Sequence, residues 1–371
     1  MTSESMILNR DGITLASDLA ITTPENKSYN CGNKIFQLNE DSPVGIMING
    51  KIDFEGISLE TLIGEFGKTI DFDKIKTVEN VKNEFIEYIS LNTDFTSFDD
   101  YLKSVLDDFK NELIEEIAEY GFLETLDYYK QEELSSDLKS FKNFSNEFFD
   151  IIPDDVDKDK YNLEIWKIFS RQLSYEGTGI IFAGFDKYNF YPTFFEINLH
   201  CNDYGKIIYD EVDSSINSEK PIIKVFAINE EAYAFITGVS EDFEEYIEEY
   251  IRFSNNDFIK IFKEKLTDKD YSDEEVEKLV SCSKLLLDNV YDGVHEDINK
   301  FRLNILDEVS QYSEFLPKLI LWDYANHLIK ISALKQKFSS EDETVSIETE
   351  IAHITKHNGF EWIKKENVKF K

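Results

Sequence analysis

Short β-rich stretches alternate along this chain with long acidic runs of helical periodicity, and that alternation limits the folds open to it. The first β-rich stretch runs from Ser5 to about Asp53. In it, Met6-Ile7-Leu8, the turn Asn9-Arg10-Asp11-Gly12 and Ile13-Thr14-Leu15-Ala16-Ser17 read as a hairpin. Lys34 to Leu38 and Val44 to Ile48 read as a second hairpin across the turn 39–43. The second stretch, Gly177 to Gly238, offers strands at Gly179–Phe185, Thr193–Ile197, Ile207–Tyr209 and Ala232–Ile236. The third, Glu348 to Lys364, surrounds the turn His357-Asn358-Gly359.

Helical spacing predicts a helix from about Asp53 to Phe66, with Leu59, Leu62, Ile63 and Phe66 on one face. Apolar stripes also run through residues 67–158 (Val81-Phe85-Ile89, Leu102-Leu106-Phe109-Leu113-Ile117, Leu134-Leu138-Phe141) and 254–316 (Phe258-Phe262-Leu266, Val276-Leu279-Leu286, Ile298-Phe301-Ile305). No Gly/Ser/Pro-rich tether and no internal repeat separates these regions. They read as folded insertions in a β-rich core.

With 42% hydrophobic residues, 30 Phe and 19 Tyr, the chain can bury a large core. Its formal net charge of −36 repels phosphate backbones and anionic lipid, which argues against nucleic-acid and membrane partners. Cys31, Cys201 and Cys282 form no CxxC pair and fit a reducing compartment. His353 and His357 lack nearby Cys or Asp ligands, so no metal site is expected there. There is no basic-then-apolar leader and no long uncharged apolar run, and the cytoplasm is the expected location.

The chemistry-bearing feature is the opening Met1-Thr2. Threonine is small enough to permit removal of the initiator methionine. An N-terminal threonine then carries a nucleophilic hydroxyl and an amine that can serve as its base. The segment Thr2 to Asp18, with Asp11-Gly12-Ile13-Thr14-Leu15-Ala16-Ser17-Asp18, resembles the start of a 20S proteasome β subunit. So do Asn33-Lys34-Ile35-Phe36-Gln37-Leu38, Gly45-Ile46-Met47-Ile48-Asn49-Gly50 and, near the end, Ile351-Ala352-His353-Ile354-Thr355-Lys356 with Gly359-Phe360. The middle matches more loosely, through Ala183-Gly184-Phe185-Asp186 and Thr237-Gly238. About half of the chain is covered, and neither helical region is.

The resemblance implies an N-terminal nucleophile (Ntn) hydrolase: an α+β fold, a four-layer α-β-β-α sandwich, here with two large helical insertions. The core would be residues 1–66 with 159–253 and 317–371, and the insertions 67–158 and 254–316. Thr2 would be the nucleophile. Lys34 would lower the pKa of its hydroxyl and amine, and Asp18 would hold Lys34. The Thr2 amine, with an ordinary pKa of about 7.7–8.0, would shuttle the proton. The N–H of Gly50 would stabilise the oxyanion. Thr237 and Asp342 fall where the family keeps a serine and an aspartate near the amine. Ile21, Gly32, Phe36, Ile48 and Ile52 fall where it lines an apolar first specificity pocket. No cofactor and no metal is implied.

Two motifs depart from the family. Its Gly-Ser-Gly turn is here Ile236-Thr237-Gly238-Val239, which keeps a hydroxyl. Its Ser-Gly-Gly run is Val345-Ser346-Ile347, which loses a serine hydroxyl unless the register slips by one to Ser346. The expected function is a threonine-type endopeptidase acting on peptides or unfolded proteins. A homo-oligomer, with a ring among the possible forms, is expected with it, and the sequence names no ATPase partner. Two alternatives stand beside it: a catalytically inactive subunit kept for assembly or binding, and an amidase acting on a small amide.

Overall fold

A computed structural model describes residues 3–365 apart from 23–27, 40–41, 73, 130–147, 154–155, 176, 228–229, 268, 270 and 339–343. Leu134, Leu138 and Phe141 therefore lie outside the described residues. The fold is mixed α+β, and two compact units divide the chain. The first is built from the described parts of 1–32, 218–353 and 361–371, the second from those of 33–217 and 354–360.

In the first unit, β1 (Ser3–Asn9) and β2 (Gly12–Asp18) pair antiparallel as the alternating apolar pattern predicts. Asn9 shapes their turn: its Oδ1 accepts the N–H groups of Asp11 and Gly12. β12 (Ile222–Ala227) pairs antiparallel with the other edge of β1. Together with β13 (Thr349–Thr355) and β14 (Gly359–Lys364), these strands form a sheet in the order β12-β1-β2-β13-β14.

Helices α6 (Glu230–Thr237), α8 (Asp273–Ser313) and α9 (Lys318–Phe338) flank this sheet. Ile7, Ala16, Val225 and Ile351 pack there with Leu321, Leu328 and Ile329 of α9. Ala325 and Ala333 leave room for close approach, and the Ser5 hydroxyl donates to the Ala325 carbonyl at 3.2 Å. The opposite set of strand residues, Met6, Leu8, Ile13 and Leu15, is also fully buried. α7 (Glu241–Thr267) pairs with α8 as a long hairpin. A capping box at Ser272 and Glu275 starts α8.

The sequence expectation of a strand at Ala232–Ile236 is corrected: this segment is α6. Aromatic and apolar residues in a short run fit either structure. Two local features select the helix. Glu230 and Glu231 place negative charge in its first turn, and Gly238, with φ +76°, receives the chain as it leaves. The Gly238 N–H bonds back to the Ala234 carbonyl at 2.8 Å. The edge strand β12, which the sequence reading did not identify, lies just upstream.

The second unit is built on a sheet ordered β11-β10-β9-β6-β5, with every neighbouring pair antiparallel. Its strands are β5 (Ile35–Gln37), β6 (Val44–Asn49), β9 (Thr178–Gly184), β10 (Thr193–Asp203) and β11 (Lys206–Ser215). α1 (Leu59–Thr69) and α2 (Val78–Asn92) cover one face. α1 presents Leu59, Leu62, Ile63 and Phe66, and α2 presents Val78, Val81, Phe85 and Ile89. The Phe85 ring lies 5.3 Å from Phe66 and 5.6 Å from Phe182 of the sheet. Burial of such a ring stabilises by about 1.5–3 kcal/mol.

The expected helix at 53–66 starts later than its periodicity suggested. Residues 53–58 form the small hairpin of β7 (Asp53–Phe54) and β8 (Ile57–Ser58). Glu55 and Gly56, both at positive φ, make the two-residue turn. α2, inside the stretch read as an insertion, belongs to the layer on this sheet. Beyond it, α3 (Phe98–Tyr120), α4 (Phe122–Tyr129) and α5 (Lys158–Tyr175) form a cluster with its own core. There Phe148 meets Trp166 edge-on at 4.9 Å, and Trp166 meets Phe169 at 5.5 Å.

Candidate active site

Asp18 ends β2 and is fully buried. Its carboxylate accepts three backbone N–H groups: Ser3 at 3.2 Å on Oδ1, and Ala20 at 3.0 Å and Ser346 at 2.9 Å on Oδ2. A hydrogen bond to a charged group is worth about 1.5–3 kcal/mol. The acid therefore fixes the start of β1, the turn after β2 and the segment before β13. Ser3 directly follows Thr2; Thr2 itself lies outside the described residues. Sequence reading selected Asp18 but not its partners. Backbone N–H groups are the same in every non-proline residue, so nothing in Ser3, Ala20 or Ser346 marks them.

Lys34 precedes β5 and is 1% exposed. Its carbonyl accepts the Ile48 N–H at 2.9 Å. The neighbouring Asn33 side chain donates to Glu60 of α1 at 2.7 Å. A lysine so withdrawn from solvent is uncommon, because its charge must be compensated where it lies. Gly50 follows β6 with φ +74°, a conformation that favours glycine.

Thr237 ends α6, and its hydroxyl donates to the Tyr233 carbonyl one turn back at 2.8 Å. Asp342 lies outside the described residues. Val345 turns its side chain into the apolar core under α9, and its N–H donates to Gln336 Oε1. Ser346 is the residue that reaches Asp18, through its backbone. Its hydroxyl donates to Glu348 at 2.8 Å, and that bond is the largest influence holding the Glu348 carboxyl below the usual carboxylate range.

The expected pocket residues fall in both units. In the first, Ile21 on β3 (Ala20–Thr22) lies against Gly32. β3 pairs with β4 (Ser28–Asn30), and the Gly32 N–H closes onto the Leu19 carbonyl. A Cβ on Gly32 would stand 2.6 Å from Ile21 Cγ1, so any larger residue here must displace the Ile21 side chain. In the second unit, Phe36 and Ile48 pack into the core beneath α1 and α2. Ile52 is exposed.

His353, on β13, is buried with its Nδ1 3.1 Å from the Thr14 hydroxyl and its ring edge-on to Trp322. Burial, reinforced by Lys318, pushes its pKa down to about 4. His357 is exposed in the turn before β14.

No helix among the described residues is long and apolar enough to cross a membrane. Neither the models of known protein families nor the curated proteins give a match to this chain.

Proposed function

We propose that this protein is an Ntn hydrolase of proteasome-β type, cleaving peptide bonds with Thr2 once Met1 is removed. The observation that carries the reading is the bond from the Ser3 N–H to buried Asp18. It ties the residue after the expected nucleophile to the expected acid. Supporting it are two five-stranded sheets, each with helices on one face, and the almost complete burial of Lys34. In the proposed mechanism the Thr2 hydroxyl attacks the peptide carbonyl while the Thr2 amine takes its proton. Lys34 lowers the pKa of both groups, and the Gly50 N–H receives the developing oxyanion. The C–N bond then breaks, the amine fragment leaves with the proton held by the Thr2 amine, and water hydrolyses the acyl-enzyme ester to free the Thr2 hydroxyl.

A second reading, a non-catalytic subunit, draws on a specific observation. The hydroxyls of Thr237 and Ser346, which the resemblance places near the amine, are donated to Tyr233 and Glu348. One experiment separates the two. Intact mass of untagged protein establishes whether Met1 is removed, and a threonine-directed epoxyketone then reports on the nucleophile. The hydrolase reading expects Met1 loss and one adduct on Thr2 that is absent from Thr2→Ala. Met1 loss without an adduct sinks catalysis and leaves the non-catalytic reading. An adduct that persists in Thr2→Ala excludes Thr2 as nucleophile.

A further inference from the structure

A second group of chemically capable side chains lies in the first unit, between α7 and α8. Glu244 and Glu248 stand one turn apart on α7, so both project toward the same side. They are 6% and 5% exposed. From α8, His295 brings Nδ1 to 2.7 Å from Glu248 Oε1 and 3.8 Å from Glu244 Oε1. One donor atom from each of the three residues lies within 4.8 Å of the other two.

The remaining atoms of these side chains are held from outside. Arg302 donates to Glu244 Oε2 at 2.8 Å. The Tyr291 hydroxyl donates to Glu248 Oε2 at 2.8 Å, and the Asn299 amide lies 3.0 Å from His295 Nε2. Tyr291, His295, Asn299 and Arg302 recur at helical spacing, so α8 turns one polar stripe toward the two glutamates. The inner atoms converge while the outer atoms are oriented by hydrogen bonds, which is the division found around protein-bound metal ions.

Charge favours a cation as well. Two carboxylates are withdrawn from water beside one guanidinium. His295 and Arg302 retain 27% and 22% side-chain exposure, which leaves a path for an ion.

We propose that Glu244, Glu248 and His295 form a three-ligand site for a divalent first-row transition ion. Two carboxylates and an imidazole suit zinc, manganese, iron(II) or cobalt(II), and the absence of thiolate disfavours soft ions such as copper(I). Tetrahedral ligands about 2.0–2.1 Å from zinc lie about 3.3 Å from one another. The shorter of the two His295 contacts must therefore lengthen and the longer contract, each by about half an ångström, within the reach of side-chain rotation. With Nδ1 bound to the ion, the imidazole carries its proton on Nε2, and Asn299 turns its amide oxygen to accept it. The bound ion fastens the first half of α7 to the middle of α8.

The test is a Co2+ titration of untagged, EDTA-stripped and dialysed protein, followed by visible d–d absorption, with Zn2+ added afterwards as competitor. One equivalent of Co2+ is expected to bind and to be displaced by Zn2+. Glu248→Gln and His295→Ala should each weaken binding by about 100-fold or more, and Tyr291→Phe by about 10–100-fold. Absence of a one-equivalent signal in the wild-type protein overturns the site whether or not the variants fold. An unchanged titration curve in folded Glu248→Gln and His295→Ala also overturns it, because the ion would then be held diffusely by the acidic surface.

Discussion

The Ser346 N–H donates to Asp18 Oδ2 at 2.9 Å, joining residues 328 positions apart in the chain. On the other side of the same segment, Gln336 of α9 accepts the N–H groups of Thr344 and Val345, both at 2.9 Å. Residues 344–346 are thus held between a buried acid and a buried amide. The expected catalytic acid is in this way also a structural clamp, and variants at Asp18 test both roles.

Asp18→Asn keeps the shape but removes the charge and aims an NH2 group at backbone donors. With the NH2 in place of Oδ1 it should lower stability by about 2–4 kcal/mol, from the Ser3 donor left unsatisfied and the two bonds on Oδ2 weakened. Urea unfolding would show this as a lower midpoint at unchanged m value. A midpoint equal to that of the wild type would refute the clamp.

His353 makes stability depend on pH in a defined window. Its folded pKa is pushed down to about 4 from an ordinary 6.5, so between these values the unfolded chain binds the extra proton and the folded chain does not. The contribution is complete above pH 6.5 and is lost as pH falls toward 4. Its size is on the order of 3 kcal/mol. Replacement by Gln should flatten the stability profile between pH 6.5 and 4 relative to wild type. Parallel profiles for the two proteins would show that another group titrates.

Gly32→Ala drives a methyl group to 2.6 Å from Ile21 Cγ1. The expected cost is about 1–3 kcal/mol. Because the obstacle is a movable side chain, the same change in an Ile21→Ala background should cost less than half as much. A double-mutant cycle measures this coupling, and strict additivity would place the strain elsewhere.

Phe169→Ala should open the helical cluster without unfolding the sheet. Phe169 is 1% exposed and packs against Phe109, Phe148 and Trp166. Removing such a ring costs about 3–5 kcal/mol. Hydrogen exchange should accelerate in α3 and α5 while β9 and β10 stay protected. Equal acceleration in both regions would show that the cluster does not form a separate cooperative unit.

The sequence by itself determined the elements whose signals are local. The hairpins at Asp11-Gly12, at 34–48 and at His357-Asn358-Gly359, and the stripes of α1 and α2, follow from periods of two and 3.6 residues and from turn chemistry. Asp18, Lys34 and Gly50 were legible as candidates only through the resemblance, which sets them in register with Thr2; alone, each reads as an ordinary turn or surface residue. Tertiary structure decided the rest. Ala232–Ile236 fits either period, and as a helix it buries Ala232 and Ile236 in the core beside α9, a partner that no local pattern names. Val345 went to the core and Ser346 to Asp18 because α9 and β2 set the path of that segment. Glu244, Glu248 and His295 came together only when α7 folded back along α8. Periodicity shows which side of a helix a residue lies on; which partner that side meets is set by long-range packing, and no local pattern encodes it.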